Sequence, residues 1–203
     1  MSMDTLWNGP PLVLASGSAT RRAMLAACAI PLLVDPADID ERAFEDRLDA
    51  AVQDMAAALA SAKAQVVAAR HPGQLVIGAD QVLVCGEVRF HKNADFAALA
   101  AQLGILSGKT HQLISAASVW RDGSEVFAAG DTAQMTMRPL SPQFIAGYIQ
   151  TAGAPLLSTV GGYQIEALGL QLFAAIEGQH STILGLPLLP LLEFLRREGS
   201  LRS

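Results

Sequence analysis

The chain is poor in cysteine, in charge and in long apolar runs. Only two of its 203 residues are cysteine, Cys28 and Cys85. Both sit in apolar runs, and two thiols make no disulfide framework, which fits a reducing compartment. Charged residues make up 16% against 51% apolar, which excludes the low-hydrophobicity, high-charge balance of a disordered chain. Cationic residues are outnumbered 14 to 19, for a net charge of −5. Affinity for DNA or RNA comes mainly from cations neutralising phosphates, so no nucleic-acid partner is expected; a local basic pocket is compatible with this balance. From Met1 to Pro11 there is no basic stretch leading into an apolar one, so no secretory signal is read. The most apolar segment, 183–192, carries Pro187 and Pro190 and stops at Glu193, which is no membrane span. The four histidines, His71, His91, His111 and His180, lack zinc-binding spacing. GxSxG, GxGxxG and P-loop patterns are also missing. What remains is a cytoplasmic globular protein, read as a single domain over residues 1–203.

What is present reads as α/β. Leu12 to Ala15 is a short buried strand, Ser16-Gly17-Ser18 a small-residue turn, and Thr20 to Cys28 an amphipathic helix. Pro31 and Pro36 bound a second extended piece, and Asp38 to Glu41 is an acidic loop. An Ala-rich helix, interrupted near its middle, runs from Phe44 to Arg70, and Leu75 to Ala79 is an apolar strand buried on both faces. Val82–Cys85 and Val88–His91 form a hairpin about Gly86-Glu87. A helix near Asp95 to Leu103 follows, then a strand pair about Arg121-Asp122-Gly123-Ser124. Ser141-Pro142 opens a helix to Thr151, and a last helix runs from Pro187 to Gly199. One α/β domain with a mixed β-sheet flanked by helices accounts for this order.

Four segments carry candidate chemistry, each with a plainer reading beside it. Leu14 to Arg22 joins a strand to a helix through small residues, leaving backbone N–H groups free at the positive end of the helix dipole. Arg21 and Arg22 in the first turn suit a bound anion such as a polyphosphate; the plainer reading is a capped helix with two solvated arginines. Lys63 lies on the stripe of Val52, Met55, Leu59, Val66 and Val67, so it either snorkels to water or reaches into a pocket beside the core. Asp80 follows the apolar run and could hold a divalent metal or act as general base towards water; otherwise it forms a turn or cap. A two-residue turn at Gly86-Glu87 sets Gln81 opposite Lys92, which sends Asp80 to the other sheet face unless a bulge or strand end intervenes. Gly161 to Glu166 offers close backbone approach and a carboxylate able to accept from a base edge, or it is simply a surface loop.

Taken in order, these segments resemble the Maf family of nucleoside triphosphate pyrophosphatases, once described as septum-formation inhibitors. Leu14-Ala15-Ser16-Gly17-Ser18 with Arg21-Arg22 is similar to the family's N-terminal motif, Leu59-Ala60-Ser61-Ala62-Lys63-Ala64 to its lysine helix, and Gly78-Ala79-Asp80 to its Gly-Ala-Asp. Lys92, Ser107 to His111, Gly161-Gly162-Tyr163 and Gly185-Leu186-Pro187 complete the set over residues 12–198. The resemblance implies an elongated mixed fold shared with the inosine triphosphatases, and cleavage between the α and β phosphates of a nucleotide with a divalent metal, Mg²⁺ or Mn²⁺. It also implies a homodimer. Under it Asp80 is the general base or metal-linked carboxylate, Glu41 an acidic metal neighbour, and Ser16 with Arg21 or Arg22 hold phosphates. Lys63 and Lys92 neutralise developing charge.

The match has departures. One extra residue, Ala19 or Thr20, separates Ser18 from the arginines. His91 and Asn93 replace the family's Gly and Pro around Lys92, and Gln179 stands where an acid is common. Glu166 occupies a position that is Gln in members acting on dTTP and UTP. A carboxylate only accepts, which suits the N1–H/N2–H₂ edge of guanine, and the spaced arginines with this glutamate are similar to the subgroup acting on 7-methyl-GTP. The resemblance thus implies hydrolysis of modified or non-canonical nucleotides. A second reading is a catalytically impaired nucleotide-binding regulator of cell division and septum formation, and a third an interaction protein with a vestigial pocket.

Overall fold

The computed structural model describes residues 6–45, 47–48 and 51–202. The start of the segment read for a secretory signal, and residues 46, 49 and 50 near the start of the span read as the Ala-rich helix, lie outside it. Among the described residues seven strands form one mixed sheet: β1 (Leu12–Leu14), β2 (Leu32–Val34), β3 (Val76–Cys85), β4 (Val88–Phe90), β5 (Thr110–Arg121), β6 (Ser124–Met137) and β7 (Phe173–Glu177). Their order is β2-β1-β3-β5-β6-β7, with β4 also on β3. β1 is parallel to β2 and β3; the β3–β4 and β6–β7 pairs are antiparallel. The helices are α1 (Ala19–Ala27), α2 (Glu41–Glu45), α3 (Val52–Ala68), α4 (Phe96–Leu106), α5 (Pro142–Ala152), α6 (His180–Ile183) and α7 (Leu188–Arg197). No helix among the described residues is long and apolar enough to cross a membrane.

The chain divides into two compact units. The first takes in the chain up to Gln81, Ser115–Asp131, and everything from Gln179 onward. β1 and the Val76–Asp80 part of β3 are buried on both faces, as continuous apolar runs require. Val13, Ala15 and Val76 pack against Val67 and Ala68 of α3. On the other face Leu12, Leu14, Ile77 and Ala79 meet Leu25 of α1 and Leu191, Phe194 and Leu195 of α7. The turn between β5 and β6 has both central residues, Asp122 and Gly123, at positive φ, the mirror-image geometry that matches strand twist.

The second unit is Val82–Ile114 with Thr132–Gly178. Its β3–β4 turn has Gly86 at φ 62°. Asp95 caps α4, accepting from the Ala98 N–H at 2.8 Å. Ser141 caps α5, accepting from the Phe144 N–H at 3.1 Å, with Pro142 at the first helical position. Tyr163 and Phe173 meet edge to face at 4.9 Å.

Three local readings are corrected. The two strands expected at 75–79 and 82–85 are one, β3, so Asp80 lies inside a strand rather than after it. The acidic loop ends one residue early, because α2 begins at Glu41. Val66 is exposed, not part of the buried stripe. On α3 the buried positions are 55/56, 59/60, 63/64 and 67/68, a strict four-residue repeat. Four residues turn a helix about 40° beyond one full turn, so the buried stripe winds around α3 and leaves Val66 behind.

Candidate functional site

Most of the candidate residues gather in the first unit, where β1 ends and β3 runs on. In the parallel ladder, Val13 N–H donates to Leu75 O at 3.0 Å and Ala15 N–H to Ile77 O at 2.8 Å. The next acceptor along that edge of β3 is Ala79 O, and it receives Arg21 Nη1 at 2.9 Å. A side chain from α1 thus takes the rung that β1 is too short to supply.

Arg21 is tied at two further points. Nη1 also donates to Ser16 Oγ at 3.2 Å, and Nε donates to Gly185 O at 2.8 Å. Gly185 has φ +96°, and a Cβ there would sit 3.3 Å from Arg21 Nη2, so glycine meets both the backbone and the space requirement. Burial pulls the Arg21 guanidinium below its ordinary pKa, against the opposing pull of Asp80 and then Glu41. Arg22, one helical step of about 100° further on, is exposed, and among the described residues its guanidinium has no partner. The spacer before the arginines therefore acts as a rotation: Arg21 faces the strand ends and Arg22 faces out.

The turn into α1 is arranged for an anion. Ser18 Oγ caps the helix, accepting from Arg21 N–H at 3.2 Å, which leaves the Ala19 and Thr20 N–H groups without intrahelical acceptors. Ser16 Oγ accepts from Ser18 N–H at 3.3 Å and from Arg21, keeping its own proton to donate.

Lys63 and Asp80 meet because α3 lies close on β3. Residues 76, 78 and 80 share a face. A Cβ on Gly78 would collide with the Ala60 carbonyl and sit 2.7 Å from Ala64 N. Lys63, in the same turn of α3, points its ammonium inward rather than out to water. Nζ lies 2.7 Å from Asp80 Oδ1 and 2.7 Å from Glu41 Oε1. Lys63 and Asp80 are each only 7% exposed, whereas the Glu41 side chain is 52% exposed. Burial pushes the Asp80 carboxyl above its usual range; Lys63 and Arg21 pull it back and Glu41 adds to the rise.

Lys92 and Glu166 belong to the second unit. Lys92 lies two residues beyond β4, exposed; pairing stops at Leu83↔Phe90, so strand alternation no longer governs its direction. Asn93 Nδ2 donates to Gln102 Oε1 at 2.9 Å, and Gln102 Nε2 donates to Val160 O at 2.8 Å. Glu166 is exposed on the loop after Tyr163. Gly162 there has φ +70°, and a Cβ would run into Leu99.

A buried polar group in the first unit escaped the sequence reading. Gln81 Nε2 lies 3.0 Å from Ser115 Oγ, Thr182 O and Ile183 O, and Thr182 Oγ1 donates to Asp131 Oδ2 at 2.5 Å. The only signal was the neighbouring Gly185-Leu186-Pro187.

A divalent cation can be tested against these donors. Among the described residues no cluster of three or more His, Cys, Asp or Glu is placed to hold a metal. Asp80 and Glu41 supply two carboxylates that share one ammonium, a set that fits Mg²⁺ or Mn²⁺ completing its shell with phosphate oxygens and water rather than a closed protein cage.

The family model described as Maf-like protein matches residues 11–198. A nucleoside triphosphate pyrophosphatase of Rhodopseudomonas palustris is 51% identical, covering 97% of this chain and 98% of its own length. A 7-methyl-GTP pyrophosphatase of Mesorhizobium japonicum is 49% identical, covering 94% and 97%. Among solved structures, a HAM1 protein from Coxiella burnetii aligns with 64% of this chain and 73% of its own, at 14% identity and a TM-score of 0.42, too distant to carry an argument.

Proposed function

The chain belongs to the Maf-like protein family, and from that premise we propose that it is a nucleoside triphosphate pyrophosphatase acting on modified nucleotides. The observation that carries this reading is the buried Lys63–Asp80 pair beside an arginine-flanked helix N-terminus. Polyphosphate hydrolysis needs donors to hold the chain, cations to neutralise it and a carboxylate to direct water. Ser16 Oγ, the free N–H groups of α1 and the outward Arg22 hold phosphate oxygens, with Arg21 fixing the edge of the site. Lys63 meets charge developing on the bridging oxygen. Asp80 orients the water and takes its proton: burial raises its pKa and makes it a better base, while Lys63 and Arg21 pull in the opposite direction. The water oxygen joins one phosphorus, the α–β bridging bond breaks, and monophosphate and pyrophosphate leave. Asp80 and Glu41 would hold the Mg²⁺ or Mn²⁺, whose chemistry is to polarise the phosphoryl oxygens.

Lys92 is assigned to charge neutralisation and Glu166 to accepting from a guanine-type edge, on the strength of the family resemblance and of the relative named 7-methyl-GTP pyrophosphatase. A homodimer rests on the resemblance alone. A cytoplasmic location is supported by two free, half-buried cysteines. The test is a nucleotide panel, including 7-methyl-GTP, dTTP and UTP with Mg²⁺ or Mn²⁺, read for pyrophosphate against orthophosphate. Pyrophosphate is the expected product, and Asp80→Asn should lower kcat at least about 100-fold. Orthophosphate release, or unchanged turnover in Asp80→Asn, would overturn the assignment.

A further inference from the structure

We propose that Thr182 and Gln81 are positioning residues for Arg21, acting through the carbonyl of Gly185; the consequence for turnover rests on the activity proposed above, the positioning itself does not. Gln81 follows Asp80 in β3, so its side chain leaves the opposite face of the sheet. That face is otherwise apolar, with Ile77, Ala79, Ala117 and Val119 in one core. At its end stand Gln81, Ser115 and Thr182, the last two fully buried. Gln81 Nε2 donates towards Ser115 Oγ and the Thr182 and Ile183 carbonyls, all at 3.0 Å. Ser115 Oγ donates to Thr182 O at 2.7 Å, and Thr182 Oγ1 donates to Asp131 Oδ2.

These bonds anchor a short turn to β3 and β5, and its own backbone carries the anchor on, since the Gly185 N–H donates to Thr182 O at 3.0 Å. α6 is one turn long and has no side-chain cap, so its orientation comes from outside. Two residues past Ile183, the Gly185 carbonyl accepts from Arg21 Nε, and that bond braces the guanidinium from the side opposite the Nη1 contacts to Ser16 and Ala79. Apolar side chains of the same volume would fill this space without the cost of burying polar groups. What the polar set adds is direction, fixed by bond geometry.

Thr182→Val keeps the shape and removes the donor, whereas Thr182→Ser keeps the donor. In the full-length chain, two readouts are compared: kcat and KM for the triphosphate that wild type turns over, and proton exchange at Arg21 Nε–H by ¹⁵N NMR, with the signal identified by its loss in Arg21→Lys. Thr182→Val should speed exchange at Nε and raise KM, each by about tenfold, with Thr182→Ser near wild type. In an Arg21→Ala background Thr182→Val should change KM no further, as a residue acting only through Arg21 requires. Should Thr182→Val fail to fold, Gln81→Met is read by the same measurements. Unchanged Nε exchange, equal effects of Ser and Val, or a full additional loss in the Arg21→Ala background would each overturn the proposal. Wild type that turns over no triphosphate would instead overturn the proposed activity, and the exchange measurement would still decide the positioning.

Discussion

Gly78 shows how one missing methyl group creates a site. With a hydrogen in place of Cβ, the backbone of α3 at Ala60 and Ala64 comes down onto β3, and the next residue on that face, Asp80, falls within 2.7 Å of Lys63. The positions of Lys63 on a buried stripe and of Asp80 after an apolar run were legible from the chain alone. Their meeting was not, because it depends on the distance between two elements, which no local pattern encodes. The same holds for Arg21 and Arg22: the pair was visible, but which one turns inward depends on where the cap falls, and that is Ser18.

His111 makes a prediction at this scale. It is 1% exposed, its Nε2 is 2.7 Å from the Tyr163 hydroxyl, and Nδ1 has no partner among the described residues. Burial pulls its pKa from 6.5 to about 4, while burial pushes the neighbouring Tyr163 phenol up, so it stays neutral. The folded pKa is the lower one, so the unfolded chain takes up a proton first. Stability is therefore lost as pH falls from 6.5 towards 4, by about 3 kcal/mol in all. His111→Phe should flatten this slope by that amount, measured as urea midpoints at pH 7 and pH 4; an unchanged slope would contradict it.

At the scale of elements, α3 explains why periodicity identified a helix but misplaced one residue of its stripe. Leu59 and Val66 are seven apart, which on an ideal wheel places them together. The winding four-residue repeat buries Leu59 and leaves Val66 42% exposed. Leu59→Ala should cost about 2–5 kcal/mol and Val66→Gln less than about 0.5, compared by urea unfolding. Equal costs would mean the stripe is straight. Hairpins, caps and proline-opened helices were legible because their determinants are local: Gly86, Asp95 and Ser141 lie within three residues of what they control. β3 was split in two because a charged residue inside a strand reads as its end, and only the partner on α3 explains why Asp80 is tolerated there.

At the scale of the molecule, net charge was the least local quantity and the least specific. An excess of five acids excludes a broad cationic groove but says nothing against Arg21, Arg22 and Lys63 serving one short polyanion in the first unit. A ligand that binds only the folded chain stabilises it by about 2.7 kcal/mol at a hundred times its Kd. A non-hydrolysable triphosphate with Mg²⁺ should therefore raise Tm by roughly 5–10 °C, and duplex DNA should not. A shift with the duplex and none with the triphosphate would refute this.

The rung that Arg21 completes has a further consequence. A strand edge whose carbonyls lack partners is a template on which another chain can add itself, the first step towards aggregation. Beyond Ile77, β3 offers Ala79 O at such a place, and it is already held by a cationic side chain. An invading strand would have to strip that donor away and leave a buried guanidinium short of an acceptor. Arg21 thus satisfies a strand-edge acceptor with the same nitrogen, Nη1, that donates to Ser16 at the site.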